Sequence, residues 1–294
     1  MKVYDYNKKE LLEVKQYSQR SLKFLYKTIP GRASLKVVTR PTVAKIYGRY
    51  NDSKFSKRKI KKFILKHSID MTEYSDKKFN SFNDFFAREI KDGKRAFSTN
   101  SVDFFACADS KLSIYKISPE LTLNIKNSTY DISELIKDTE LAKEFQDGLC
   151  IVYRLCVNDY HRYLFIDDGK IISSKKIKGV LHTVCPISFE KYKVFTQNAR
   201  EVSVLETKHF GKIVNIEVGA LLVGKIKNHN ITKFKRGQEK GYFEFGGSTI
   251  IHLIQKDTVK IDDDILKYTD QNIEVQVKQG TTIGTKMQKR NGSN

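Results

Sequence analysis

The spacing of apolar positions changes about halfway along the chain, and the change predicts two kinds of structure. In the first part Leu11, Val14, Tyr17, Leu22, Leu25 and Tyr26 recur at helical spacing. The pattern stops at Ile29-Pro30-Gly31 and resumes less regularly through Leu35, Val38, Val43 and Ile46. Two amphipathic segments around a turn are expected, with Pro41 kinking the second or restarting a helix there. Further helices are expected over Ser56–His67 and around Ser81–Ile90, where Ser81 and Asp84 form a capping pattern. Asp131-Ile-Ser-Glu134 opens another, predicted to run to Phe145 and stop near Gly148. Beyond it, Leu149–Val157, Lys212–Val218, Thr249–Gln255 and Asn272–Lys278 alternate or carry β-branched runs between Gly, Asn and Asp, and read as strands. The expected class is α+β, helical first and β-rich after, closing on a polar tail (Lys286–Asn294) that should fray.

Composition narrows the class of protein. The 294 residues suffice for about two domains, or a large one with an appendage, and 39% hydrophobic content with 18 Phe and 15 Tyr excludes a disordered chain. The net charge is +20, and residues 1–70 hold 19 Lys or Arg against 5 Asp or Glu, so +14 of it lies in the first quarter. No acidic residue occurs between Val14 and Asn51. Such charge calls for an anionic partner, nucleic acid or membrane. No helix-turn-helix, zinc-finger or RNP-type pattern supports nucleic acid. The basic helices can lie in an anionic lipid interface, or pack on the body with a solvated face.

Cys107, Cys150, Cys156 and Cys185 form no CxxC pair, and His182 with Cys185 supplies only two ligands, so no metal is expected. Cys150 and Cys156 on one strand would lie about 20 Å apart, beyond disulfide reach. With no signal-peptide core and apolar stretches as short as Val218–Gly224, the chain is expected to be cytosolic, bound at most to a membrane face.

Two segments could carry chemistry. Gly246-Gly247-Ser248-Thr249 precedes a strand-like run, where two glycines permit close approach to the Gly247 carbonyl; an ordinary turn reads the same way. Asn158-Asp159-Tyr160-His161-Arg162-Tyr163 gathers an acid, a titratable imidazole and a cation, or else a plain strand end. Asp109 by itself is a turn residue, and His67, His209, His229 and His252 suggest no role.

Their order changes the reading. The chain presents Phe82-Asn-Asp-Phe-Phe-Ala-Arg88, Ala108-Asp109, Asp159-Tyr-His-Arg162, Gly179-Val-Leu-His-Thr-Val-Cys-Pro186, Val218-Gly-Ala-Leu-Leu-Val-Gly224 and Gly241-Tyr-Phe-Glu-Phe-Gly-Gly-Ser-Thr249 in succession. This series closely resembles the phosphatidylserine decarboxylase family, nearest its bacterial members with a GGST processing site. The resemblance implies basic membrane-associating helices over 1–95 and a β-rich, sandwich-like catalytic domain over 96–294. It implies a proenzyme in which Ser248 attacks Gly247, splitting the chain into Met1–Gly247 and Ser248–Asn294, which stay associated. Residue 248 then becomes a covalent pyruvoyl group that forms a Schiff base with phosphatidylserine and releases carbon dioxide and phosphatidylethanolamine. The implied location is the cytoplasmic face of the membrane, peripherally bound, with a homodimer left open.

Residue by residue, the resemblance implies that Asp109 orients the processing base. His161 serves decarboxylation or substrate contact with Asp159 as its orienting partner. From charge alone Arg162 could hold the lipid's phosphate or carboxylate, and His182 could also contact substrate. Two positions depart from the family pattern. Leu164 stands where the family has its second His, the base for self-cleavage, and Ser110 stands where a Gly usually follows the Asp. Either His161 or His182 stands in as base, or the chain is an unprocessed, non-catalytic, anionic-lipid-binding relative.

Overall fold

The computed structural model describes residues 1–14, 19–125, 128–221, 225–246 and 248–288. Tyr17, Leu222–Gly224, Gly247 and the end of the tail lie outside them. Among the described residues ten strands form one mixed sheet. From edge to edge these are Lys233–Phe234, Gly169–Ile177, Arg200–Thr207, Gly211–Val218, Ser248–Ile254, Leu149–Leu155, Ser110–Lys116, Glu274–Val277, Lys2–Asp5 and Glu10–Glu13. Smaller sheets flank it, one of them made of Ile226–Asn228, Glu239–Phe243 and Arg162–Leu164. The class is α+β, as the spacing predicts.

The Ser248–Ile254 strand lies deep in this sheet, antiparallel to Gly211–Val218 on one side and Leu149–Leu155 on the other. Both of its faces are covered, and all seven of its residues are buried. Such a strand reads as an unbroken Ile-rich run rather than a clean alternation. The main core gathers around it, from Val152 and Tyr153 through Ile216 to Ile251 and Leu253.

The basic segment folds as Gln19–Lys27, Ile29–Val38 and Pro41–Asp52, with Lys59–His67 following a 3-10 turn at Lys54–Arg58. Thr28 caps the second helix by accepting from Gly31 N, and Pro41 opens the third at a position where its missing N–H costs nothing. Gly31 is needed for closeness, since a Cβ there would lie 2.0 Å from the Phe24 carbonyl oxygen. Leu22, Tyr26 and Leu35 pack on Cys185, Ile187 and Tyr192 of the body.

Three expectations need correcting. Leu11 does not begin a helix: Glu10–Glu13 is an edge strand, with Leu11 opposite Tyr4 and Lys2–Asp5 pairing in parallel with Glu274–Val277. A short apolar run fits either period, and pairing with the neighbouring Lys2–Asp5 strand, itself held by Glu274–Val277, decides it. The helix predicted from Asp131 to Phe145 is two, Ile132–Ile136 and Thr139–Lys143, because Lys137 turns left-handed (φ 54°) and Asp138 caps anew. The helix at Ser81 keeps its cap but spans only Phe82–Phe86.

Candidate active site

The segment before Ser248 is held from below by aromatic rings. Phe245 packs against Phe82 and Phe86 of the short capped helix, with centroids 5.0 and 5.2 Å away, and against Phe63 at 6.1 Å. Its N–H donates to Asn83 Oδ1, and Phe243 N–H donates to the His161 carbonyl at 3.0 Å. Gly246 then takes φ 133°, which a side chain would resist. Ser248 follows, fully buried, opposite Leu155, and neither its hydroxyl nor that of Thr249 finds a hydrogen-bond partner. Orphaned hydroxyls are rare in a buried strand, so these mark a place where the fold leaves polar atoms unspent.

His161 is the histidine brought to this segment. It is fully buried, its ring lies 4.3 Å from Phe86, and Nδ1 is 2.9 Å from the carbonyl oxygen of Asp159. A carbonyl only accepts, so this bond puts the hydrogen on Nδ1 and leaves the lone pair on Nε2, which has no hydrogen-bond partner. Burial pushes the imidazole down to about 3, against the opposing pull of the Asp159 and Gly246 carbonyls and with a further downward push from the Arg88 charge. His161 is therefore held neutral, with its ring beside the Gly246 carbonyl.

Asp159 orients that ring with its backbone, not its carboxylate. The carboxylate accepts from Lys111 Nζ at 2.9 and 3.2 Å and from Cys156 N–H at 2.7 Å, tying the loop to the sheet. Although burial works against its charge, Lys111 is held above its ordinary value by Asp159. Asp109 likewise faces a cation. Arg95 donates to it through Nε at 3.0 Å and Nη2 at 2.9 Å, and Gln279 N–H adds a third bond at 2.7 Å. Leu164 N–H donates to the Cys107 carbonyl, which places position 164 beside the Asp109 segment, but the leucine packs on the main core. Ser110 begins its strand without a positive φ, so this turn has no need of glycine.

The remaining residues singled out by sequence lie elsewhere or are already occupied. Arg162 donates to Glu239 at 2.8 and 3.1 Å, to Glu89 and to the Ala87 carbonyl, leaving little of its fork for a lipid. His182 stacks on Tyr192 at 4.0 Å and bonds Tyr26 OH, under the basic helices; burial lowers its pKa. Of the two histidines that could replace a missing base, His161 alone shows contact with the turn at Gly246.

The family profile described as phosphatidylserine decarboxylase matches residues 82–285, which include the Phe82–Arg88 segment, Asp109, His161 and Ser248. Over 283 residues the chain is 50% identical to phosphatidylserine decarboxylase proenzyme 2 of Clostridium acetobutylicum, covering 96% of this chain and 97% of that protein. A phosphatidylserine decarboxylase proenzyme of Ruminiclostridium cellulolyticum is 42% identical, covering 92% and 93%, and one of Clostridium botulinum (strain Alaska E43 / Type E3) is 38% identical, covering 98% and 99%. The chain belongs to the phosphatidylserine decarboxylase family. These matches run nearly end to end and give no support to a non-catalytic lipid-binding relative.

Within a phosphatidylserine decarboxylase, the sequence reading missed three cations that organise the site: Arg95 on Asp109, Lys111 on Asp159, and Arg88. Lys111 sits in an alternating strand, where a buried lysine has no distinguishing pattern. Arg88 was visible as the last residue of the Phe82–Arg88 motif, but nothing in the sequence shows that its guanidinium lies buried beside His161.

Proposed function

We propose that this chain is a phosphatidylserine decarboxylase made as a proenzyme, which cuts itself between Gly247 and Ser248 and carries a pyruvoyl group at residue 248. The observation that carries this reading is the Ser248 hydroxyl, fully buried and unpartnered two residues after Gly246, whose carbonyl lies beside the buried His161 ring with its unpartnered Nε2. Nε2 takes the hydroxyl proton as Oγ bonds to the Gly247 carbonyl carbon. The Gly247–Ser248 C–N bond then breaks as the proton passes to the departing amine, leaving an ester. Loss of the Ser248 α-proton and cleavage of the Cβ–Oγ bond release the Gly247 carboxylate. Water hydrolyses the resulting enamine, and ammonia departs.

An orphaned, fully buried residue 248 at the start of a strand fits such a group. When present it supplies a ketone that withdraws electrons from a bound amino acid headgroup, which no ordinary side chain can do. The chain's own residues do the rest. Phe86 and Phe245 exclude water around His161, which is held ready to pass a proton at Nε2. The two fragments stay together because Ser248–Ile254 and Glu274–Val277 each have a strand of the longer fragment on both sides.

The substrate is a membrane lipid, and the reading includes peripheral binding at the cytoplasmic face. Its support is the helical region, where Phe24, Ile29, Val37, Ile46, Phe55 and Leu65 are exposed among lysines and arginines. Arg58, Lys61, Lys62, Leu65 and Lys66 line a shallow basic groove there. Among the described residues no helix is long and apolar enough to cross a membrane. Intact-mass measurement tests the central step. Two fragments are expected, the shorter without a free amine, while Ser248→Ala stays whole and releases no carbon dioxide from phosphatidylserine vesicles; an active, uncut wild type rejects the reading.

A further inference from the structure

Most buried cations of this protein are matched. Lys111 faces Asp159, Arg154 faces Glu274, Lys240 faces Glu217, and Arg95 faces Asp109 and Glu73. Arg200, buried without a carboxylate, satisfies all three of its nitrogens on backbone carbonyls. Arg88 differs from all of these. It is 1% exposed, and only Nη2 is bonded, at 3.2 Å to Tyr74 OH and 3.3 Å to the carbonyls of Asn158 and Asp159. Nε and Nη1 have no partner, and the guanidinium lies over the rings of Tyr74 and Phe85, at 4.3 and 5.2 Å. A buried guanidinium with two open donors and no counter-ion is costly, and a fold keeps one where an anion is to arrive.

Its place indicates which anion. Arg88 and His161 bond the same acceptor, the Asp159 carbonyl, so the guanidinium lies beside the imidazole whose ring also reaches the Gly246 carbonyl. Nearby carboxylates that could neutralise it are engaged, Asp159 by Lys111 and Asp109 by Arg95. A serine phospholipid offers two anionic groups. Its carboxylate loses its charge as carbon dioxide forms, so an arginine there would stabilise the ground state more than the transition state and slow the reaction. The phosphodiester keeps its charge throughout, and its oxygens match a guanidinium fork. We propose that Arg88 is the phosphate seat of the substrate site, a role the sequence suggested for Arg162, whose fork is occupied by Glu239 and Glu89.

This inference rests on the decarboxylase reading, and its test separates the two. Carbon dioxide release is measured on already split protein, with vesicles containing phosphatidylserine or a serine ether lipid that lacks the phosphodiester. Wild type should prefer the phospholipid in kcat/KM. Arg88→Met should raise KM for phosphatidylserine roughly 30-fold or more, as expected for a lost buried charge pair, with a smaller change in kcat and in turnover of the ether lipid. Arg88→Lys, which keeps a point charge, should recover part of the loss. If both lipids suffer equally in Arg88→Met, Arg88 acts through the His161 loop and the seat is rejected. Should the methionine variant not fold, the wild-type comparison still decides, because equal use of both lipids rejects the seat. A wild type that releases no carbon dioxide from phosphatidylserine overturns the decarboxylase reading itself, and the seat with it.

Discussion

Asp109 and Arg95 form a two-pronged ion pair, Nε to Oδ1 at 3.0 Å and Nη2 to Oδ2 at 2.9 Å, so the acid that the family resemblance assigns to self-cleavage faces an arginine. Both carboxylate oxygens are engaged, and Gln279 N–H adds to one of them. An imidazole introduced at position 164 would find one acceptor site open, on Oδ2, and would share that oxygen with the Arg95 guanidinium. Leu164→His alone is expected to speed self-cleavage by less than about 10²-fold, the low end of general-base assistance, because Arg95 already neutralises the acid that would orient the new ring. A time course of fragment appearance on a denaturing gel checks it.

His161 is the base of the proposed cleavage. His161→Asn removes the Nε2 lone pair at the Gly246 turn and should slow splitting by about 10²–10⁴-fold, the usual value of general-base assistance. The uncut chain should accumulate in pulse-labelled cells. Splitting at the wild-type rate would move the base elsewhere, with His182 next to be tested.

Stability should depend on pH through buried imidazoles. Burial holds both His161 and His252 down to about 3 in the folded protein, against an ordinary value of 6.5. The unfolded chain takes up these protons below pH 6.5 while the folded chain does not until near pH 3. The stability is thus complete above pH 6.5 and is lost as pH falls toward 3. Urea midpoints at pH 7.5 and pH 5 should differ in that direction, and His252→Gln should narrow the gap.

Lys111 Nζ and the Asp159 carboxylate are a nearly buried pair, and breaking one side strands the other. Lys111→Met should lower unfolding free energy by about 3–5 kcal/mol, measured by urea titration of the uncut Ser248→Ala background. A loss below 1 kcal/mol would mean that water reaches the Asp159 carboxylate.

The N-terminal strand holds what would become the short fragment. Lys2–Asp5 pairs with Glu274–Val277, and Tyr4 stacks on Tyr268 at 3.9 Å. Tyr4→Ala should cost about 3–5 kcal/mol, as for other large core truncations, and release the short fragment from split protein at lower urea. Gel filtration of split protein across a urea series reads this directly.

Local chemistry and long-range placement account for what was and was not legible. Ser81 and Asp131 cap helices because their side chains reach N–H groups three residues on, so both starts are written locally. The Ile-rich runs become strands, and Pro41 begins a helix, for similarly local reasons. The GGST corner, the His161 loop and the Phe82–Arg88 motif were recognisable as a set before any packing was known. The fates of the charges were not. Arg162 meets Glu239 across 77 residues, and Lys111 meets Asp159 across 48. Leu11 becomes a strand because Glu10–Glu13 folds back on Lys2–Asp5, which in turn joins Glu274–Val277.

By itself, then, the sequence determined the helix caps, the central strands, the basic amphipathic start and the family, since these follow from backbone preferences, apolar spacing and motif order. Only the tertiary structure decided that Asp159 orients His161 through its carbonyl, that Arg95 occupies Asp109, and that Arg88 rather than Arg162 keeps an open fork. The reason is physical: a charged side chain's role depends on which partner folding brings within about 3 Å of it, and that distance is set by contacts among strands far apart in the chain.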